Sequence, residues 1–342
     1  MVASAADGGA TGGRRSGERP RGRRRAGRWR RALLAALVTG AVVAPLSAAA
    51  RPEIPAPAPA VLAPLTAGTL GAAYAANRAN AAQASRMAAA HGDTGRAAAE
   101  RSMAGPSRRF LAFDGRGPGL ATEVFGDLAR ADRVAVLVPG SDTSLDTYGR
   151  FRAGAVALQR QLTGRAPAGT RTAVVAWLGY RTPGTISATV LTTGRAEQAA
   201  PQLRAFIERL HIIAGRRAQV ALLCHSYGSV VCGRAASGLA VDDIALIGSP
   251  GTGVDSAAAL HTPARIWAAR GAADWVADVP HVRTDLLGAT VGFGRDPVSP
   301  AFGARVFAAG DGGHSDYFTP GSASLTNLTR IVLGETSEVA RA

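Results

Sequence analysis

A serine with small neighbours lies where a buried strand is predicted to turn into a helix. Residues 221–230 read Ala-Leu-Leu-Cys-His-Ser-Tyr-Gly-Ser-Val, with Ser226 near the centre. A chain that turns at once from strand to helix strains the residue at the turn and projects its side chain out of the sheet. Strand and helix nearly touch there, so the residues two positions away must be small. Gly228 meets this demand, whereas Cys224 replaces the usual glycine. Ser226 is therefore a candidate nucleophile, with a plain helix cap behind a buried strand as the alternative.

A histidine is needed to take the proton of such a serine, because a serine hydroxyl is a weak nucleophile at neutral pH. Of the six histidines, His225 adjoins the serine on the turn, where its side chain must point away from the position of a base. His314 lies after the last predicted strand in a Gly-Gly-His-Ser-Asp-Tyr-Phe segment, whose two glycines give the loop reach. We predict His314 as the base, with His281 as the second choice.

A carboxylate must hold the imidazole in the right tautomer. In sheets of this type the acid and the histidine follow the serine in the chain. Asp274 comes shortly after a predicted strand over residues 265–269, at the carboxyl edge where the site is expected. We predict Asp274 as the acid, with Asp255 and Asp278 as rivals.

Two backbone N–H groups are predicted to bind the developing negative charge of a reacting carbonyl. Tyr227 follows the serine at the start of the helix, and Ser141 follows a Pro-Gly pair at the end of a predicted central strand, residues 134–138. A glycine-containing loop lets the backbone approach a ligand closely. An ordinary strand-to-helix turn is the alternative for the Ser141 loop.

Aromatic residues beside the same sheet edge are candidates for substrate binding. Trp177 and Tyr180 end the predicted strand at residues 172–178, and either the substrate pocket or simple packing would explain them. Residues 292–303 carry two phenylalanines and two prolines. This segment is predicted either to cover the pocket or to be a loop with no role in the site.

The elements that must position these residues alternate between strand and helix from residue 134 onward. Continuous apolar runs over residues 134–138, 172–178, 219–224 and 243–247 predict central strands buried on both faces. Residues 109–114 and 120–125 alternate around a glycine-rich turn and predict an antiparallel hairpin. The predicted fold is α/β, a mostly parallel central sheet with an antiparallel leading hairpin and helices on both faces.

The amino terminus has the order of an export signal. Residues 1–50 hold ten arginines and two acids, which accounts for +8 of the formal net charge of +15. An apolar segment at residues 32–43 and an Ala-x-Ala ending at Ala50 follow the basic run. We predict a basic leader with a signal peptide over residues 1–50 and a secreted or cell-envelope location. The alternative is a retained membrane anchor of about 19 residues, 32–50.

Three further segments follow the leader. Residues 51–71 are rich in proline and alanine and predict a linker, and residues 72–104 predict an alanine-rich helical extension. Residues 105–342 are assigned to the catalytic domain.

The charge and the cysteine content of the chain limit which ligands and bonds are expected. All 39 basic residues are arginines, scattered without an aromatic-interleaved stripe, so we expect no nucleic-acid partner. We expect no cofactor and no metal, since no cluster has ligand spacing. Cys224 and Cys232 are the only cysteines, and the sequence leaves open whether they form a disulfide or stay as buried thiols.

Five ordered motifs together resemble an α/β-hydrolase family of actinobacteria that has long been catalogued as a domain of unknown function. The resemblance covers residues 109–334. Its motifs are Val-Leu-Val-Pro-Gly-Ser ending at Ser141, Trp-Leu-Gly-Tyr ending at Tyr180, His-Ser-Tyr-Gly-Ser around Ser226, Gly-Ser-Pro-Gly from Gly248, and Gly-His-Ser-Asp-Tyr-Phe around His314. The resemblance implies a serine hydrolase fold with Ser226, Asp274 and His314 as the triad.

The function expected is hydrolysis of a small-molecule or lipid-like ester, as in a carboxylesterase or lipase. A peptidase or amidase on the same triad is an open alternative, because the sequence does not separate esters from amides. The second open alternative is a catalytically silent binding protein of the cell envelope. Membrane contact is expected only through the export signal or a retained anchor, and the oligomeric state is left open.

Overall fold

The computed structural model of the chain describes residues 53–185, 192–279, 281, 283–286 and 289–342. Ile54–Ala342 forms one compact unit. The predicted leader and signal peptide, residues 1–50, lie outside the described residues. Of the described helices, none combines the length and apolar character needed to cross a membrane.

The described part of the chain contains ten strands and six α-helices. The strands are β1 Phe110–Asp114, β2 Leu120–Gly126, β3 Arg133–Val138, β4 Thr172–Leu178, β5 Gln219–His225, β6 Asp243–Ile247, β7 Arg265–Ala269, β8 Arg283–Leu286, β9 Ala289–Gly292 and β10 Arg305–Val306. The helices are α1 Leu70–His91, α2 Thr94–Met103, α3 Tyr148–Arg165, α4 Gly194–Ala214, α5 Gly228–Ala235 and α6 Ala323–Leu333.

The main sheet has the strand order β1-β2-β4-β3-β5-β6-β7-β10. β1 pairs antiparallel with β2, and β2 pairs antiparallel with β4, whereas the pairs from β4 through β3, β5, β6 and β7 to β10 are parallel. Parallel strands end at the same edge, so the loops after β3, β5, β6, β7 and β10 meet there. The predicted α/β fold with an antiparallel leading hairpin is confirmed.

Helices cover both faces of this sheet, as alternate residues of β3 illustrate. Val136 belongs to the apolar cluster that includes Leu203 of α4 and Val230 of α5. Its neighbour Leu137 belongs to the opposite cluster, with Leu158 of α3 and Leu328 of α6. Successive strand residues point to opposite faces, so a continuous apolar run is the sequence form of a strand covered on both sides.

The helices α1 and α2 occupy the stretch for which the sequence predicts a helical extension, residues 72–104. They pack on β1 at the antiparallel edge of the sheet, where Asn77 donates a hydrogen bond from Nδ2 to the Phe110 carbonyl at 2.8 Å. The buried guanidinium of Arg96 in α2 forms an ion pair with Asp146, which precedes α3. These contacts bind the two helices into the same compact unit as the sheet.

Two element boundaries differ from the prediction, and one hairpin has no counterpart among the predicted elements. The sequence after Ser226 predicts a helix to about residue 239, but the helix ends at Ala235 and a single 3-10 turn follows. The apolar run at residues 305–309 predicts the last strand, but the strand contains only Arg305–Val306. Beyond it, the Ala308 N–H donates to the Ala340 carbonyl at 2.9 Å, so the chain pairs with its own carboxyl-terminal segment. The β8–β9 hairpin forms a second, two-stranded sheet.

Candidate active site

Ser226 stands at the junction of β5 and α5 with a left-handed backbone, φ 53°. Its N–H donates to the Ile247 carbonyl of β6 at 3.0 Å, which fixes the turn against the neighbouring strand. A non-glycine residue with positive φ is strained and persists only where its surroundings hold it. At Gly228, a Cβ would lie 2.5 Å from the carbonyl oxygen of Val138 at the end of β3, so the neighbouring strand leaves no room for a side chain. The geometry is that of a sharp strand-to-helix elbow.

Cys224 occupies the position on the strand side where this pattern usually has glycine. It is bonded to Cys232 of α5 in a disulfide, with a Cα–Cα distance of 6.5 Å, and both residues are fully buried. The sequence left open whether these cysteines form a disulfide or stay as buried thiols, and the structure has the disulfide. Ser229 adds a second strand-to-helix contact by donating from Oγ to the Cys224 carbonyl at 3.0 Å.

His314 lies on the loop after β10, with its imidazole between a serine and a carboxylate. Its Nε2 is 2.9 Å from the Ser226 Oγ, and its Nδ1 is 2.9 Å from the Asp274 Oδ1. His281, the second choice for the base, instead places its Nδ1 3.0 Å from the Pro250 carbonyl oxygen. Of the two candidate histidines, the structure therefore brings only His314 to the serine.

Asp274 follows β7 and is almost completely buried. Besides His314, its carboxylate accepts hydrogen bonds from the Val276 N–H at 2.9 Å and from the Tyr317 hydroxyl at 2.5 Å. Burial opposes ionisation, but the hydrogen bonds from His314, Tyr317 and Val276 outweigh it and lower the pKa of Asp274 to about 2. The carboxylate is therefore charged at neutral pH and keeps the His314 Nδ1 protonated, which leaves Nε2 free to accept the serine proton.

The rival acids are placed elsewhere. Asp255 accepts a hydrogen bond from the Arg295 N–H at 3.2 Å. Asp278 is exposed at the end of the short 3-10 helix Trp275–Asp278. Neither forms a hydrogen bond to His314 among the contacts of the described residues.

Tyr317 and Gly248 support the acid, and sequence reasoning missed both. The Tyr317 hydroxyl accepts from the Gly271 N–H at 3.1 Å while it donates to Asp274. Burial, together with the bond to Asp274, raises the pKa of Tyr317. Gly248 has φ 54°, and a Cβ there would lie 2.8 Å from the Asp274 Oδ2 and 3.1 Å from the His314 Nδ1. Both residues belong to short motifs at the sheet edge, which is the signal that could have found them.

His225 also lies against the candidate base. Its ring centroid is 4.7 Å from that of His314, and its Nε2 is 2.7 Å from the His314 carbonyl oxygen. A carbonyl only accepts, so Nε2 must carry the proton. Burial and the neighbouring His314 lower the pKa of His225 to about 4, so the ring is uncharged at neutral pH. The sequence placed His225 away from the position of the base, and the structure gives it a contact with the backbone of that base.

The two predicted oxyanion donors flank the serine. Tyr227 is the N-cap residue of α5, and Ser141 follows Gly140, where a Cβ would lie 2.6 Å from the Ser226 Cβ. Within the described part of the chain, neither N–H donates a hydrogen bond. Both are therefore available to an oxygen beside the serine, and their catalytic role stays a prediction.

Trp177 and Tyr180 are not among the residues that line the cleft, and of the two alternatives that the sequence left open, packing accounts for both. They are buried and stacked on each other at 5.9 Å, and Trp177 also stacks on Phe206 of α4 at 6.1 Å. Trp177 belongs to the face of β4 that α4 covers, so it points into the core. Tyr180 instead donates its hydroxyl to the Pro139 carbonyl at 2.6 Å, which anchors the loop that carries Ser141.

A cleft of about 1700 Å³ opens over Ser226. Its lining includes small residues of α3 such as Gly149 and Ala153, the arginines Arg150, Arg152 and Arg160 of the same helix, and residues of the loop after His314. Trp275 stands at the mouth with half of its surface exposed and its ring 4.6 Å from that of His314.

Phe293 is the residue of the predicted cover, residues 292–303, that reaches the cleft wall. Its ring packs edge-on against Tyr227 at 5.7 Å. Phe302 of the same segment is buried in the core. Among the residues whose side chains are described, His, Cys, Asp and Glu form no group of three or more that could hold a metal ion.

The fold and this site are those of an α/β hydrolase, and comparison with known proteins gives the family. The sequence model of the family described as alpha/beta hydrolase matches residues 114–284, half of the chain. The chain belongs to that family.

Two uncharacterized proteins of Mycobacterium tuberculosis (strain ATCC 25618 / H37Rv) are similar in sequence. One is 29% identical over 258 residues, covering 66% of this chain and 38% of the relative. The other is 33% identical over 149 residues, covering 41% of this chain and 56% of the relative. The chain thus matches less than two thirds of the length of either relative.

Solved structures of similar fold include esterase PE8, which is 17% identical with a TM-score of 0.41 over 62% of this chain and 97% of the esterase. An α/β serine hydrolase without lid from Xanthomonas campestris is 16% identical with a TM-score of 0.39, covering 68% of this chain and 95% of the other. Family membership rests on the sequence match.

Proposed function

We propose that the protein is a serine hydrolase that cleaves carboxylic esters through an acyl-enzyme. The observation that carries the proposal is the continuous relay from the Ser226 Oγ to the His314 Nε2 and from the His314 Nδ1 to the Asp274 Oδ1, with 2.9 Å at both steps. Such a relay on a strained elbow, at the floor of a cleft, is the arrangement that activates a serine hydroxyl.

In the proposed first step, the Ser226 Oγ attacks the ester carbonyl carbon while the His314 Nε2 takes the hydroxyl proton. The carbonyl oxygen becomes negative and accepts hydrogen bonds from the N–H groups of Tyr227 and Ser141. The carbon–oxygen bond to the alcohol then breaks, and His314 gives its proton to the departing alkoxide. Asp274 faces the imidazolium as a charged carboxylate, as its low pKa supports.

In the proposed second step, water repeats the sequence on the acyl-enzyme. His314 takes a proton from the water, the hydroxide adds to the acyl carbon, and the bond to the Ser226 Oγ breaks as the proton returns to the serine. The products are a carboxylic acid and an alcohol, and the enzyme is restored.

The cleft supports a substrate with an apolar part. A volume of about 1700 Å³ exceeds what a short ester needs, and apolar residues such as Ala153, Ala157 and Phe318 line the cleft together with arginines of α3. We propose that a small-molecule or lipid-like ester binds in this cleft, with Trp275 against the group nearest His314.

We further propose that the protein acts after export. The order of a basic run, an apolar segment and an Ala-x-Ala tripeptide ending at Ala50 supports this location. Sequencing the amino terminus of the exported protein tests it. A mature chain that begins near residue 51 is expected, and an intact leader would contradict cleavage.

Hydrolysis of 4-nitrophenyl esters of increasing chain length, beside the matching 4-nitroanilides, tests the reaction. We expect turnover of the esters, an optimum above acetate, and loss of turnover by at least 10³-fold in Ser226→Ala. Faster turnover of the anilides would favour an amidase. If folded wild-type protein hydrolyses no ester faster than Ser226→Ala does, the proposal is refuted.

A further inference from the structure

The disulfide between Cys224 and Cys232 spans the candidate nucleophile. One cysteine lies two residues before Ser226 at the end of β5, and the other lies six residues after it in α5. The bond therefore closes a short covalent ring whose apex is the serine. The same ring contains Tyr227, the predicted oxyanion donor.

The elbow needs such a restraint because its backbone is strained. Ser226 holds φ 53°, a left-handed conformation that a residue with a side chain keeps only where its surroundings hold it. A shift of α5 along β5 would move the Ser226 Oγ away from the His314 Nε2 and move the Tyr227 N–H with it. The disulfide opposes that shift on both sides of the serine at once.

One of the two cysteines, Cys224, stands where this pattern usually has a glycine. A side chain there must be accommodated between two backbones. Two cysteines solve this by bonding to each other, because bonded atoms come closer together than van der Waals contact allows. Both sulfurs are out of reach of solvent, since each residue is fully buried.

We infer that the Cys224–Cys232 disulfide is a positioning element for Ser226, and that the enzyme reaches its full rate only after these two thiols are oxidised. The inference rests on the proposed function. Oxidation removes two protons and two electrons from the thiols. A small-molecule or protein disulfide takes them up and leaves as two thiols. The hydrolase would therefore mature in an oxidising compartment, in keeping with the proposed export.

The test compares the oxidised wild type with two variants that lack the bond, Cys224→Ala/Cys232→Ala and Cys224→Ala/Cys232→Val. The second variant refills part of the lost volume. The chain has two cysteines, so wild type refolded in a reducing agent gives a third sample that differs from the oxidised protein only by the bond and the two thiol hydrogens. The kcat and KM values for a 4-nitrophenyl ester are measured well below the unfolding temperature of each sample.

A destabilised control separates positioning from stability. Ile213→Ala removes a buried side chain at the end of α4, near the start of β5 and remote from the elbow. We expect its kcat to stay within twofold of the wild type. In the samples without the bond, we expect kcat to fall by at least tenfold and KM to change by less than threefold. Reoxidation of the reduced wild type should restore kcat.

Two results would overturn the inference. If both variants are folded and have a kcat within twofold of the oxidised wild type, the bond does not position the serine. If they fail to fold at all, the bond serves stability rather than positioning. Failure of the proposed function is recognised separately, because the oxidised wild type would then show no Ser226-dependent turnover, and the inference would fall with it.

Discussion

Gly248→Ala is expected to slow the enzyme although it replaces no residue of the relay. A Cβ at this position would lie 2.8 Å from the Asp274 Oδ2, 3.0 Å from the Tyr317 Cε2 and 3.1 Å from the His314 Nδ1. The carboxylate must retreat by about 0.5 Å to reach ordinary contact. Since a misplacement of about 1 Å can cost roughly 100-fold in rate, we expect kcat to fall by about tenfold.

Alanine also carries a cost of about 1 kcal/mol for a positive φ, which affects stability rather than chemistry. Gly92→Ala is the matched control, because Gly92 has φ 92° at the end of α1 and no atom within 4 Å of an added Cβ. We expect both variants to lose stability in urea unfolding and only Gly248→Ala to lose kcat. Equal kcat values for Gly248→Ala and the wild type would refute the crowding argument.

One further prediction concerns Glu100, a buried residue of α2, and two concern the surroundings of the site. Burial raises the pKa of Glu100 to about 7, above its unfolded value, so its contribution to stability is complete in acid and is lost as the pH rises through 7. Between pH 5 and 9, the free energy of unfolding of the wild type should fall by about 2–3 kcal/mol relative to Glu100→Gln, measured by urea titration. His225→Phe keeps a ring against His314 but removes the donor to its carbonyl, and kcat should fall by about five- to tenfold in ester assays. Tyr180→Phe releases the Pro139 carbonyl, and kcat should fall by a similar factor, about five- to tenfold, with KM unchanged in the same assay.

The sequence was sufficient for a mostly parallel sheet with an antiparallel leading hairpin, and for three residues that the structure brings together at its edge. Continuous apolar runs such as residues 134–138 mark central parallel strands, and the loops that follow such strands meet at one edge. A serine, an aspartate and a histidine that follow successive strands must therefore come close, and Ser226, Asp274 and His314 do.

The supporting residues could not be predicted in the same way, because their roles depend on which face of the sheet they occupy. Trp177 ends a strand at the correct edge, but its side chain points to the face that α4 covers. Gly248 is a glycine because of atoms from two other loops, and those atoms are far away in sequence. The disulfide depends on how closely α5 returns past β5, a distance that the sequence spacing of two cysteines leaves undefined.

The central claim is that Ser226 is a nucleophile activated by His314. The most direct measurement is the intact mass of the protein after incubation with a fluorophosphonate, followed by peptide mapping of the adduct. We expect one adduct per chain on Ser226, no adduct in Ser226→Ala, and labelling slowed by at least 100-fold in His314→Gln. An adduct on another residue, or no adduct on folded wild-type protein, would contradict the account.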